Sequence, residues 1–139
     1  FLSTDKLVEL YSLAQDKVTE AGNPEDVLPA TPMDISGFNG EATTLCFDCA
    51  SGRYFMSNIE WLQRVENQLN KLLLEETWVS LNEAYDYIGI DEIGLGEDLG
   101  WDAQKEGLID FAFSSVLTPD GRPCLALNFR VRPKYTYYY

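Results

Sequence analysis

The sequence contains no histidine. That removes the usual general base of Ser/His/Asp and Cys/His sites and the commonest metal ligand. Basic residues are scarce: ten Lys and Arg stand against 23 Asp and Glu, for a net charge of −13. A field of that sign repels phosphate backbones and anionic lipid, so nucleic acid is not expected as a partner. Cysteine is limited to Cys46, Cys49 and Cys124. An odd number leaves a free thiol however the others pair, which suits a reducing, cytoplasmic compartment better than a secreted disulfide scaffold. No run approaches about 18 apolar residues, so neither a membrane span nor a signal peptide is expected within the chain. The first residue is Phe1 rather than Met, which implies that a segment upstream was removed. The remaining composition, 45% hydrophobic and 24% charged over 139 residues, is that of one globular domain. A chain of this length buries enough surface to fold without metal or disulfide, and no cofactor is expected.

Breakers and periodicity divide the chain. Ser3 and Thr4 offer an N-cap, and Leu7, Val8, Leu10, Tyr11, Ala14, Val18 and Ala21 follow at mostly helical spacing before Gly22. A helix over about 5–21 follows, within an N-terminal unit at 1–22. Residues 23–42 hold Pro24, Pro29, Pro32, Gly37 and Gly40 and read as a linker or arm. A connection that long predicts a peripheral first helix that packs loosely or belongs to an upstream part. The domain proper spans 43–134. It opens with a hairpin over 43–56, turning at Ser51-Gly52. Ser57-Asn58-Ile59-Glu60 is a capping box ahead of a helix over 59–75 with Leu62, Val65, Leu69 and Leu73 on one face. Ser80-Leu81-Asn82-Glu83 repeats that chemistry for a helix over 81–88 ending at Gly89. Glycines 94, 96, 100 and 107 predict turns and one short helical piece. Alternating Ile109, Phe111 and Phe113, a Thr118-Pro119-Asp120-Gly121 turn, and Leu125, Leu127, Phe129 and Val131 predict a long hairpin over 109–132. A tyrosine-rich tail closes the chain at 135–139. The fold class is α+β: a small antiparallel sheet of two hairpins packed against two helices, with the first helix peripheral.

Candidate sites are few. Cys46-Phe47-Asp48-Cys49 has redox-pair and zinc half-site spacing, but it lies in a strand-like run and lacks two further ligands, so packing is the expected role. Asp91 to Asp102 has the length of a calcium loop with Gly96 at its sixth position, yet Ile93 and Leu95 occupy ligand positions. Gly94, Gly96 and Gly100 miss dinucleotide-binding spacing by one residue. No catalytic, cofactor or metal residue is therefore assigned. Charge carries more information. Residues 118–139 hold Arg122, Arg130, Arg132 and Lys134 against Asp120 alone, whereas no Lys or Arg occurs between Leu72 and Gln104. Glu83, Asp86, Asp91, Glu92, Glu97, Asp98 and Asp102 are the candidate partner-binding residues, either a solvated face or a docking surface for a protein with a basic surface. The terminal arginines are expected to protect an edge strand.

The order of motifs resembles a family of uncharacterised proteins encoded by phages, prophages and other mobile elements of Gram-positive bacteria. The residues that carry it are Phe47-Asp48 with Ser51-Gly52-Arg53-Tyr54-Phe55, a helix bearing Glu66 and Asn70, Val79-Ser80-Leu81-Asn82-Glu83-Ala84-Tyr85, Gly96-Glu97-Asp98-Leu99-Gly100-Trp101, Ile109-Asp110-Phe111, and Asp120-Gly121 with Cys124. They span 47–124. The resemblance implies hydrophobic, membrane-spanning segments upstream, so that the chain is the tethered soluble part of a longer protein. It assigns no catalytic residue, and Gly100-Trp101 reads as a tight turn beside a buried indole. The expected function is a non-catalytic interaction module. The alternatives are an acidic decoy occupying the DNA site of a host enzyme, or a carboxylate-dependent enzyme.

Overall fold

The computed structural model describes residues 13, 15–19, 43–135 and 137. The linker at 23–42 and most of the first helix lie outside the described residues. A four-stranded sheet has the order β2-β1-β6-β5, formed by β1 (Thr44–Asp48), β2 (Arg53–Ser57), β5 (Phe111–Leu117) and β6 (Pro123–Phe129). Both hairpins of the sequence analysis are present. They join through a parallel pair, Cys46 with Leu125 and Asp48 with Leu127, so the sheet is mixed rather than wholly antiparallel. Local pattern specifies each hairpin, but the direction in which two hairpins abut depends on tertiary packing. The long connection between β2 and β5 lets them lie side by side with β1 and β6 pointing the same way.

Helix α1 (Ile59–Glu76) and helix α2 (Leu81–Ile88) cover one face of the sheet. Leu62, Val65, Leu69 and Leu73, at helical spacing, meet Cys46, Phe55, Leu127 and Phe129, which alternate inward from the strands. The α1 cap is Asn58, whose side chain accepts from Trp61 N at 2.8 Å, one residue later than the capping box predicts. Ser57 is retained by β2, paired with Thr44, and cannot serve as the cap. Ser80 caps α2 with Glu83 reciprocating, and Gly89 ends it at φ 98°, both as the sequence predicts. Unforeseen is a second sheet of two short strands, β3 (Trp78–Ser80) and β4 (Gly100–Asp102). Strands of three residues carry no readable alternation. Helix α3 (Ala103–Glu106) is the short helical piece. Trp101 is fully buried, and its indole N–H donates to Val131 O at 2.7 Å.

The opposite sheet face is covered by the described part of the first helix. That helix is peripheral in position but not loosely packed. Val18 is wholly buried with Phe47, Cys49, Val116, Cys124 and Ala126. Gln15 donates to Leu117 O at 2.9 Å and accepts from Leu117 N at 3.0 Å, extending the ladder of β5. Tyr54 donates to Val18 O, and Lys17 Nζ donates to Cys49 O. Among the described residues of this helix, one buried apolar side chain and three polar tie points hold it to the sheet, and helical periodicity does not display the polar ones. The tail at 135–139 is also partly integrated: Tyr137 packs on Gly100 and donates to Glu97 O at 2.8 Å.

Candidate functional site

The acidic segment is folded over the start of α2. Leu81 N donates to Leu99 O and Asn82 N to Gly96 O, while the Asn82 amide grips Ile93, accepting from its N–H at 2.9 Å and donating to its carbonyl at 3.1 Å. Turns within the segment, Gly96 N to Ile93 O and Asp98 N to Leu95 O, hold it compact. This wrapping brings Glu97 against Glu83 and Glu92, and sets Glu92 beside Asp86 on α2. Glu76, at the end of α1, faces Glu83. Charges distant in sequence thus share one face.

Its electrostatics follow. A hydrogen bond with Asp86, reinforced by the Asp86 charge, pushes the Glu92 carboxyl above the usual carboxylate range. Burial does the same at Glu83, with Glu76 and Glu97 adding repulsion. Asp86, Asp91, Glu92, Glu97 and Asp98 are exposed, and Glu83 is half-buried in its capping role. Asp102 does not belong to the surface. It is only 4% exposed, caps α3 through Gln104 N at 2.8 Å, and accepts from the Trp78 indole at 3.1 Å. Burial opposes its ionisation, but these hydrogen bonds outweigh it and hold its pKa down. Sequence places Asp102 in an acidic run; only the β3–β4 pairing reveals that it points inward. Missed by the sequence analysis are the apolar groups on and beside this run: Leu74, Trp78, Tyr87 and Leu95 are all 40% or more exposed.

Titration gives a prediction. Glu66 is raised by burial, although Phe111 N donates to it, so Glu66, Glu83 and Glu92 all bind protons more tightly folded than unfolded. Their contribution is fully present below the ordinary carboxylate value of about 4.3 and is lost as pH rises through the raised values. Asp102 and Asp120 are lowered, the latter chiefly by the Thr118 hydroxyl, and they contribute above about 3.9, with loss as pH falls further. Stability is therefore expected to peak on the acid side of neutrality. The urea midpoint should rise as pH falls from neutrality toward the ordinary carboxylate value and fall again toward pH 3. Glu92→Gln should raise the midpoint at pH 7.5 and flatten the first limb. A midpoint that only falls on acidification contradicts this.

The cysteines are not a redox pair. Cys46 lies in the core beneath the helices and Cys49 in the core beneath the first helix, on opposite faces of the sheet. Burial pushes both thiols up to about 12 and Cys124 to about 11, with Cys124 adding to Cys46 and Asp48 to Cys49. All three are free. A reactive thiol needs the opposite shift.

The other motif residues form internal bonds. Glu66 accepts from Phe111 N at 2.5 Å, and Asn70 accepts from Ile109 N at 2.7 Å and donates to Ile109 O at 2.9 Å, fastening α1 to the entry of β5. Asp48, fully buried, accepts through Oδ2 from the Tyr85 hydroxyl at 2.7 Å and from Ser51 Oγ and N at 2.5 and 3.0 Å. Arg53 donates to Ser51 Oγ at 2.9 Å and lies 4.9 Å from the Tyr85 ring centroid. With this geometry in place, the comparison with known proteins is informative about kinship: residues 5–138 match the model of a family of unknown function, DUF6353, and the chain belongs to that family. The match extends beyond the 47–124 stretch into the first helix. No curated protein and no solved structure matches the chain. Among the described residues, no helix is long and apolar enough to cross a membrane.

Proposed function

We propose that the chain is a non-catalytic interaction module of a phage- or mobile-element-encoded protein of Gram-positive bacteria, acting in the cytoplasm by docking its acidic face onto a protein with a basic surface. The observation that carries this is the convergence of Glu76, Glu83, Asp86, Glu92 and Glu97 on one face, close enough that Glu76 and Glu97 act on Glu83, and Asp86 and Glu97 on Glu92, to push those two carboxyls up. Uncompensated like charges cost stability, and a cationic partner turns that cost into binding free energy. Tyr87 and Leu95 supply the apolar anchors that charge alone does not. A non-catalytic role is supported by the motif residues Asp48, Glu66, Asn70, Asn82 and Tyr85, which hydrogen-bond within the fold and fasten α1, α2 and the 93–99 turns in place.

The test is a salt-dependent pull-down with Glu92→Lys/Glu97→Lys/Asp98→Lys, leaving the buried Asp102 intact. Capture should fall at least about tenfold in the variant and in high salt, with an unfolding midpoint no lower than that of the unaltered chain. Capture that survives both removes the acidic face as the contact. Displacement of the captured protein by DNA would instead identify the surface as a decoy.

A further inference from the structure

The terminal arginines do not guard a sheet edge. Strand β6, which precedes them, lies inside the sheet between β1 and β5. Arg130 and Arg132 instead line an open cleft of about 280 Å3 with Lys17, Ala50 and Asn128. Three of the ten cations of a chain carrying −13 therefore surround one concavity. Asp110 shares the Arg130 guanidinium at 3.2 Å and is itself about half exposed. Arg132 has no carboxylate partner among the described residues, and the Lys17 ammonium donates only to a carbonyl, Cys49 O at 3.2 Å. Among the described residues, two cations thus have no carboxylate partner. The cleft also has a definite place in the fold. Ala50 follows β1 and Arg130 follows β6, so it lies beyond the carboxyl ends of the two parallel strands, the position at which open sheets with parallel strands bind ligands. Lys17 enters from the first helix, so an occupant would bridge helix and sheet.

We propose that this cleft binds a small phosphate-bearing ligand of phosphate-monoester size. Guanidinium and ammonium side chains lining one cleft suit a compact polyanion, and Asn128 adds a neutral polar group to the lining. The volume lies at the small end for ligand pockets, which run from about 300 Å3 upward, and this disfavours a nucleotide. A cleft that concentrates cations on an otherwise anionic molecule is selective for anions by position, because the remaining surface repels them.

The experiment is an amide-shift titration of the full chain with glycerol 3-phosphate, paralleled by sedimentation with phosphatidic acid vesicles and phosphatidylcholine vesicles as control. Saturable shifts at Ala50, Asn128 and Arg132 are expected, weakened about tenfold by Arg132→Gln and by Lys17→Gln and less than about twofold by Arg122→Gln, which lies outside the cleft. Should Lys17→Gln loosen the helix, Arg132→Gln still decides, since Arg132 bonds to no described residue. Binding of the soluble ester assigns the phosphate to a free ligand. Retention on phosphatidic acid vesicles alone assigns it to a lipid headgroup. Absence of both up to about 50 mM ester, a range in which even millimolar affinity is visible, overturns the proposal, as does equal weakening by Arg122→Gln.

Discussion

Gly96→Ala is expected to cost about 2–4 kcal/mol and to detach the acidic segment from α2, since overpacking and broken buried hydrogen bonds each carry a cost of that order. A Cβ on Gly96 would lie 1.8 Å from Asn82 Oδ1 and 2.2 Å from Asn82 Cγ. Those atoms cannot yield cheaply. Asn82 is 3% exposed, and its amide is committed at both ends to Ile93. Rotating it away frees the Ile93 N–H and carbonyl, and leaving it in place forces the 93–99 turns outward. Gly94→Ala is the control, because nothing lies within 4 Å of a Cβ there. Three measurements bear on the account. Denaturant unfolding should separate the two variants by at least about 1.5 kcal/mol. Hydrogen exchange should quicken at Asn82 and Leu81, whose N–H groups donate to Gly96 and Leu99. Asn82→Ala combined with Gly96→Ala should cost little more than Asn82→Ala alone, because the clash and the lost bonds share one side chain. Additive costs would show that the steric account is wrong. Partner capture should weaken with the segment's detachment, whereas a bare charge reversal weakens capture without lowering stability.

Much of this arrangement was legible in the sequence. Periodicity marked both helices, because α1 and α2 each bury one stripe against a single sheet face, and alternation marked both hairpins. Turn chemistry marked the stops at Gly89 and Gly121, each at positive φ. Three features were not legible, each for a physical reason. The parallel joint between β1 and β6 follows from packing of the two hairpins and leaves no local signature. The β3–β4 pair is too short for a pattern, and with it went the inward turn of Asp102. The docking of the first helix rests on Val18 and on side chain to backbone bonds from Gln15 and Lys17, polar residues that a hydrophobic count assigns to solvent. Candidate acidic residues were identifiable as a run, but which of them converge depends on Asn82 drawing the chain back over α2.

Asp48→Ala is the second large effect expected, about 3–5 kcal/mol, because it strands several buried donors at once. The Asp48 carboxylate is fully buried between the sheet and α2 and collects the Tyr85 hydroxyl together with the Ser51 hydroxyl and amide. Alanine removes the acceptor and leaves the Tyr85 O–H, itself in a fully buried side chain, facing none. Tyr85→Phe should cost less, about 1–2 kcal/mol, since it withdraws the donor and leaves Asp48 Oδ2 still accepting from Ser51. The double variant is the sharper test. With both hydroxyl and carboxylate gone, the combined cost should fall short of the sum by about 1–2 kcal/mol, the coupling of a buried charged hydrogen bond. Asp48→Asn, which keeps an acceptor oxygen, should recover part of the loss. A cost below about 1 kcal/mol for Asp48→Ala would mean that Ser51 and Tyr85 find other acceptors, and that α2 is held to the sheet by apolar contact alone. The consequence for function is geometric. Helix α2 carries Glu83 and Asp86, and Tyr85 fastens it to the sheet by its hydrogen bond to Asp48, its ring lying beneath the Arg53 guanidinium. Loosening that bond should tilt α2 and broaden the acidic face, so that partner capture in Tyr85→Phe declines more than its small loss of stability accounts for.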